Sequence, residues 1–292
     1  QVEPVYQSNI YGWYFFDNSA DKWNDRSGNG HHFTLIGTST HTADKPSTVD
    51  ETIGTGSQVF SVATTGNDTT GDGSLTNPYA SITKALTVVA SGDTILVADG
   101  TYSENTVSTG YFRPTQIFSS YVTIRSASGI ASNVIIQGAS NATYNTLIQN
   151  NAAYIRFENV TFGMRLSTNG SALRLANSNN IQFVGCKFVT QSDSGGTRYG
   201  VLLQPSGATV IDNILFDNCT WTQTGTFAAR GVSVVWTSGN TISNISLTNC
   251  TATMQADCLY LQGGGYTITG GSYTSTDTHA ILFGADSNTG GN

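Results

Sequence analysis

The chain has few charged side chains and lacks the marks of several common protein classes. Only 11% of its 292 residues are charged, and the formal net charge is −7. A nucleic-acid surface needs many lysines and arginines to neutralise phosphates, so this balance excludes nucleic acid as a partner. No apolar run approaches the roughly 18 residues that a membrane-spanning helix needs, so the sequence predicts no membrane span.

Cysteine is also scarce, and its placement argues against a zinc site. The chain has four cysteines and no CxxC pair, the spacing that zinc sites favour. Cys186, Cys219 and Cys250 recur at one position of the repeat described next, which indicates small, inward-facing side chains. A disulfide between neighbouring coils is sterically conceivable at a coil spacing of about 4.8 Å, but its dihedral requirement favours free, buried thiols.

The chain is organised around a repeat. Five eight-residue segments each begin with an apolar-polar-apolar alternation, which is typical of a strand with one buried face. These segments are 155–162, 181–188, 214–221, 245–252 and 266–273. Their fifth position always holds a residue that tolerates the left-handed backbone conformation: Asn159, Gly185, Asn218, Asn249 and Gly270.

A further strand precedes each segment. The copies of this strand are 147–149, 173–175, 201–203, 232–234, 259–261 and 281–283. One repeat is therefore a first strand, a turn, a second strand, a one-residue bend and a short third strand. A period of about 20 to 35 residues with several short strands predicts a solenoid, here a parallel β-helix, because a single coil cannot bury its own apolar face. We expect the bend asparagines to be buried and stacked amide on amide.

This pattern resembles the right-handed parallel β-helices of the pectate-lyase-like superfamily, which carry such an asparagine ladder. The resemblance covers residues 59–283 and includes an entry block in which NPYASITKAL is followed by GDTILV and GTY. Within that block, apolar residues recur at helical spacing after Ser81, a candidate helix cap: Ile82, Ala85, Leu86 and Val89. The expected fold is all-β, a right-handed parallel β-helix with a short N-terminal capping helix.

Residues 1–56 are predicted to form a separate attachment and capping segment, and residues 57–292 the β-helix. An aromatic strand at 13–17 and a second strand at 33–37 would flank a polar turn and make a β-hairpin-like piece. The run DRSGNGHH resembles the opening of a concanavalin-like lectin domain, but the likeness is too short for a complete domain of that kind.

One turn is a weak candidate for calcium. Residues 67–74 are rich in Asp and Gly, similar to a calcium loop. They lack the D-x-D-x-D-G spacing and the closing Glu of that loop, so no cofactor is predicted. If calcium binds here, Asp68 and Asp72 are its candidate ligands.

The resemblance implies a ligand on the outer face of the first strands and their flanking turns. Just before the strand core, successive coils carry Tyr199, Arg230, Asp257 and His279. Within the core, they carry Arg174, Leu202, Ser233, Tyr260 and Leu282. Stacking would place neighbouring members of each row about 5 Å apart.

An arginine, a carboxylate and a histidine in one row are a candidate acid/base set for cleaving an acidic polysaccharide. Arg230 would bind a uronate carboxylate, and Asp257 or His279 would move the proton. The candidate ligand-binding residues are Arg174, Tyr199 and Tyr260, and the Tyr260 ring would stack on a sugar. The glycine-histidine-glycine and arginine-x-lysine motifs of polygalacturonases are absent, and their paired-aspartate motif is only half matched at 255–259.

Two functions remain open at this point. One is an extracellular protein of a cell or virion surface, similar to a tailspike or adhesin, that engages glycans or forms surface structure. The other is a secreted polysaccharide lyase or glycoside hydrolase, which the incomplete motifs disfavour. The final coil has a first strand at 281–283 without its second and third strands. We therefore expect further chain or self-association to cover that end.

Overall fold

The computed structural model describes residues 14–17, 22–25, 33–34, 57–104, 112–137, 144–148, 152–163, 170–192, 198–205, 209–236 and 239–284. The chain divides into two compact units, Gln1–Gly54 and Thr55–Asn292.

The first unit contains an antiparallel sheet. Its strands, in sheet order, are β1 Tyr14–Asp17, β2 Lys22–Asp25 and β3 Phe33–Thr34. The two strands that the sequence indicates are present. An additional strand, β2, lies between them and pairs with both.

The second unit is a right-handed parallel β-helix built from three parallel sheets, as predicted. The second-strand sheet comprises β4 Val59–Val62, β5 Thr94–Val97, β7 Ile117–Ser126, β10 Ala152–Glu158, β13 Ser178–Val184, β16 Val210–Asp217, β19 Thr241–Thr248 and β22 Tyr266–Thr269. The third-strand sheet comprises β6 Gly100–Ser103, β8 Val134–Gln137, β11 Thr161–Gly163, β14 Lys187–Ser192, β17 Thr220–Gly225, β20 Thr251–Met254 and β23 Ser272–Ser275. The first-strand sheet comprises β9 Tyr144–Ile148, β12 Gly170–Leu175, β15 Arg198–Leu203, β18 Arg230–Val234, β21 Leu259–Gln262 and β24 Ile281–Gly284.

Equivalent positions of the repeat pair in register along these sheets. Ile181 of β13, for example, lies between Ile155 of β10 and Ile214 of β16. Parallel stacking of coils places like residues beside each other, so the sequence alignment of the repeat is also its pairing register.

Aromatic side chains fill the core as two columns that follow this register. The columns are Phe157–Phe183–Phe216 in the second-strand sheet and Phe162–Phe188–Trp221 in the third-strand sheet. Neighbouring rings within a column are stacked, with centroids 5.0 to 5.4 Å apart. Rings of different columns meet edge to face at 5.2 to 5.9 Å. All six side chains are fully buried, so these columns contribute a large share of the apolar burial.

The four cysteines are free and buried. The thiols of Cys186, Cys219 and Cys250 each donate to the carbonyl of the phenylalanine one coil earlier, at 3.3 to 3.4 Å. Burial, together with the neighbouring Cys186 and Cys250 thiols, raises the pKa of the Cys219 thiol well above its ordinary value.

The predicted bend is confirmed in its backbone, but its predicted burial is wrong. Its five residues have φ between 50° and 65°. Asn218 and Asn249 are nevertheless exposed, and Asn159 is half-buried. The residue after each bend explains the difference: Cys219 and Cys250 occupy the core there, so the bend side chain faces outward.

Side-chain amides instead form hydrogen bonds between coils at a second bend, which the sequence analysis missed. Its residues also have positive φ: Tyr154, Asn180, Asn213 and Asn244, with Gly265 in the last coil. Asn213 Nδ2 donates to Asn180 Oδ1 at 2.5 Å, and Asn244 Nδ2 donates to Asp212 Oδ1 at 2.8 Å. Each of these residues stands five positions before the Asn or Gly of the first bend in the same coil. This constant spacing was the sequence pattern from which the second bend could have been predicted.

A short helix, α1 Ile82–Leu86, packs its apolar residues into the core near the start of the β-helix. Ser81 is its cap, as predicted, and Ser81 Oγ accepts from Lys84 N at 3.0 Å. The helix ends before Val89. Glu104 also holds its first turn, because the carboxylate accepts the backbone N–H of Ile82 at 2.7 Å. A 3-10 turn, Ala131–Asn133, precedes β8.

The last coil leaves apolar side chains in contact with solvent. Ile281 and Phe283 of β24 are 37% and 66% exposed. Residues 285–292 lie outside the described residues, so cover by further chain or by a second copy stays a prediction. No helix in the described part of the chain is both long and apolar enough to cross a membrane.

Candidate functional site

The turns that lead into the first strands carry the predicted row of polar residues. Tyr199 and Arg230 pair in register between β15 and β18. Asp257 and His279 hold the equivalent places before β21 and β24, since their carbonyls accept from Gly231 N at 3.0 Å and from Cys258 N at 3.2 Å. The structure therefore places the four residues on consecutive coils.

Asp257 is the centre of this arrangement. Its Oδ2 lies 3.0 Å from Arg230 Nε, and its Oδ1 lies 3.2 Å from His279 Nδ1. Thr278 Oγ1 donates to the same Oδ1 at 2.9 Å. The Asp257 side chain is only 4% exposed, whereas those of Arg230 and His279 are 32% and 60% exposed. A buried carboxylate thus holds two side chains that reach solvent.

The hydrogen bond to Asp257 also determines which nitrogen of His279 is available. An ionised carboxylate only accepts, so His279 Nδ1 carries the proton and donates it to Asp257 Oδ1. His279 Nε2 is then the unprotonated nitrogen of the neutral ring and can accept a proton. Asp257 is therefore placed to orient His279 and Arg230, and its own burial keeps it away from a polymer.

Tyr260 completes the group. The Arg230 guanidinium carbon lies 4.4 Å from the Tyr260 ring centroid, in a cation–π contact. Gln262 Nε2 donates to the Tyr260 hydroxyl at 3.0 Å. Arg230 covers one face of the ring, so that face cannot stack on a sugar in the way the sequence suggested. We call Arg230, Asp257, Tyr260 and His279 the Asp257 site.

Two other predicted residues lie outside this site. Arg174 of β12 stands three strands away from Tyr260 in the first-strand sheet, and its Nη2 donates to Gln204 O at 3.4 Å. Tyr199 adjoins Arg230 and is half-buried. Leu202 and Ser233, predicted on the exposed face, are buried at 6% and 0% exposure, so the middle of that face is not open to a ligand.

The two calcium candidates are engaged in turn and cap interactions. Asp68 Oδ1 accepts the backbone N–H of Ala80 at 2.7 Å and of Ser81 at 3.0 Å. Asp72 Oδ1 accepts the N–H of Ser74 at 2.9 Å, and that hydrogen bond holds the Asp72 pKa below its ordinary value. Within the described residues, no group of three or more histidine, cysteine, aspartate or glutamate side chains is placed to hold a metal.

A family profile matches most of this unit. The family is described as "Protein of unknown function (DUF1565)", and the match covers residues 64–257. The chain belongs to this family. The match includes Arg230 and Asp257, and it ends before Tyr260 and His279. It begins after the short stretch that resembles a lectin opening, and that resemblance stays a prediction.

Several solved structures are similar to the chain. A pectin methylesterase from Aspergillus niger is 16% identical, with a TM-score of 0.37, over 79% of this chain and 87% of that one. A rhamnogalacturonan lyase is 11% identical, with a TM-score of 0.43, over 73% of each chain. A pectin methylesterase from carrot is 11% identical, with a TM-score of 0.40, over 78% of this chain and 88% of that one. A search of curated proteins finds no sequence match.

Proposed function

We propose that the protein works outside a cell, on a cell or virion surface, and binds glycans through the Asp257 site. The observation that carries this proposal is the buried Asp257 carboxylate, which holds Arg230 and His279 beside each other at the surface. A few precisely placed polar groups are what orient a small polar ligand in a binding site.

Preorganisation supports the same conclusion. The Arg230 guanidinium is held on both sides, by Asp257 at 3.0 Å and by the Tyr260 ring at 4.4 Å. Arginine loses much rotamer freedom when a ligand immobilises it, and here the protein has already met that entropy cost. Its remaining N–H groups are donors for sugar hydroxyls.

The experiment is a glycan array followed by titration calorimetry with the strongest ligand. Asp257→Asn should weaken binding by about five- to tenfold, because Arg230 loses its ionic partner. Tyr260→Ala should weaken it further. Asp277→Asn is the matched control, since Asp277 is an exposed aspartate on the adjacent turn. Equal affinities for the two Asp→Asn variants, or no array ligand at all, would rule the site out.

A second candidate function is cleavage of an acidic polysaccharide by β-elimination. The Asp257–His279 pair favours it, because Asp257 orients a base whose Nε2 faces away from the carboxylate. Nε2 would take the proton from the carbon that bears the uronate carboxylate. The glycosidic C–O bond on the next carbon would break as the double bond forms, and the departing oxygen would take a proton from solvent. Glycoside hydrolysis is less well supported, because it needs two available carboxyl groups and Asp257 is buried.

This activity has its own assay. Incubation with an acidic polysaccharide such as polygalacturonate should yield unsaturated ends that absorb ultraviolet light. His279→Gln should abolish that signal while the circular dichroism spectrum stays unchanged. If His279→Gln keeps full activity, the base lies elsewhere; if the wild-type protein yields no product, the lyase alternative fails and glycan binding is tested on its own.

A further inference from the structure

One strained residue stands out on the second-strand sheet. Tyr154 has φ 58°, a left-handed conformation that is an outlier for a bulky side chain. The equivalent residues of the following coils are Asn180, Asn213, Asn244 and Gly265. Those residue types adopt this conformation at a lower cost. One coil thus departs from the residue type that its own repeat uses.

The neighbouring strand is irregular at the same place. Four residues of β7, 118–121, lie opposite the single residue Tyr154 of β10. A bulge of this kind redirects side chains and is over-represented beside functional sites. Here it brings Tyr121 against Tyr154, with ring centroids 5.5 Å apart and ring planes at 69°. The positive φ of Tyr154 and the irregular register of β7 therefore occur at the same pair of tyrosines.

Polar groups adjoin the two rings on the same outer face. Burial raises the pKa of the Tyr121 hydroxyl, which Gln182 and Arg156 adjoin. Gln182 Oε1 accepts from Arg156 Nη1 at 2.9 Å. Arg156 Nε donates to Glu158 Oε1 at 2.5 Å, and both of these side chains are partly exposed. Planar donors and acceptors are therefore fixed in place next to half-buried aromatic rings.

We propose that Tyr121, Tyr154, Arg156 and Gln182 form a second saccharide site, on a different sheet from the Asp257 site and independent of it. The tyrosine rings supply an apolar surface for the C–H face of a sugar, and the amide and guanidinium supply hydrogen-bond donors. Glu158 neutralises the Arg156 charge, so the site selects a neutral sugar over a uronate. The strain at Tyr154 is retained because the ring contacts the ligand.

The probes are cellotetraose, which is neutral, and tetragalacturonate, which is acidic. Calorimetry or saturation-transfer NMR should show that the wild-type protein binds cellotetraose at about millimolar concentration or below. The part of the binding that depends on Tyr154 should be tighter for cellotetraose than for tetragalacturonate. Tyr154→Asn should weaken cellotetraose binding by about tenfold or more, because it removes half of the aromatic pair. The same substitution restores the residue type of the repeat, so the Tm should stay unchanged or rise by up to about 4 °C.

Two controls separate binding from folding. Asn213→Gly and Asn244→Gly alter the same bend two and three coils away, and both should leave cellotetraose binding unchanged. A lower Tm for Tyr154→Asn with unaltered binding would make Tyr154 a structural residue and overturn the proposal. So would the absence of cellotetraose binding by the wild-type protein, or a preference for tetragalacturonate that Tyr154→Asn removes.

Discussion

Replacing Phe183 by alanine should destabilise the β-helix more than almost any other single change. Its ring is fully buried, stacked between Phe157 at 5.4 Å and Phe216 at 5.0 Å. It also meets Phe162 and Phe188 edge to face, at 5.7 and 5.6 Å. The substitution therefore opens a cavity in the core and interrupts both kinds of aromatic contact.

The magnitude follows from these contacts. A buried Phe→Ala change typically costs about 3 to 5 kcal/mol, and each aromatic pair is worth about 0.5 to 1.5 kcal/mol beyond its area. With four ring neighbours we expect a loss of about 4 to 5 kcal/mol in the free energy of unfolding for Phe183→Ala, the upper end of the range. The corresponding fall in Tm is about 10 °C.

Urea unfolding followed by circular dichroism and by tryptophan fluorescence measures this loss. Two probes are needed because the coils of a solenoid can unfold separately. If the two unfolding curves coincide, the transition is two-state and a single free energy of unfolding describes it. Val184→Ala is the matched control: Val184 is the next residue of the same strand, half-buried on the outer face, and should cost less than about 1 kcal/mol. A loss below about 1 kcal/mol for Phe183→Ala, or equal losses for the two variants, would refute the stacked core.

Three further predictions follow from the fold. Cys186, Cys219 and Cys250 are buried and should react with a thiol reagent only after urea unfolds the protein; rapid labelling of all three in native buffer would contradict their position. Asn218 has φ 50°, so Asn218→Gly should be nearly neutral in thermal unfolding, while Asn218→Ala should cost about 1 to 2 kcal/mol; equal Tm values would show that the bend tolerates any residue. Burial raises the pKa of Glu104 above its ordinary value of 4.5, so the folded state holds that proton more tightly than the unfolded state does. The stability of the wild type therefore falls as the pH rises from about 4.5 through the raised pKa. The Tm of the wild type relative to that of Glu104→Gln should therefore be lower near pH 8 than near pH 5. A Tm difference that does not change with pH would contradict this prediction.

The strands, the first bend and the pairing register follow from short sequence patterns that recur from coil to coil, so the sequence was sufficient to predict them. The alternation at 155–162 and its four copies predicts strands, and the Asn or Gly at each fifth position predicts a left-handed bend, which the φ values confirm. Because parallel coils stack like on like, aligning the copies also predicts that Ile155 pairs with Ile181. The helical spacing of the apolar residues after Ser81 likewise predicts the helix that Ser81 caps.

The second bend could also have been predicted from the alignment of the repeats. Its asparagines recur with the same spacing as those of the first bend. Their role was missed because an isolated Asn within a polar stretch resembles any turn residue. Whether a bend side chain faces inward or outward depends on which neighbouring residue fills the core. The type of the bend residue does not by itself determine that direction.

The chemistry depends on contacts that arise only between coils. The sequence placed Arg230, Asp257 and His279 in one row, but the burial of Asp257 and the choice of Arg230 and His279 as its partners depend on how three consecutive coils pack. The pairing of Tyr121 with Tyr154 requires a bulge in β7 that shifts the register by several residues. The repeat does not predict this bulge, because it has no counterpart in the aligned segments. Periodicity specifies the scaffold because each coil sees the same neighbours; a site forms where one coil differs from the next, and only the tertiary structure decides which side chains then meet.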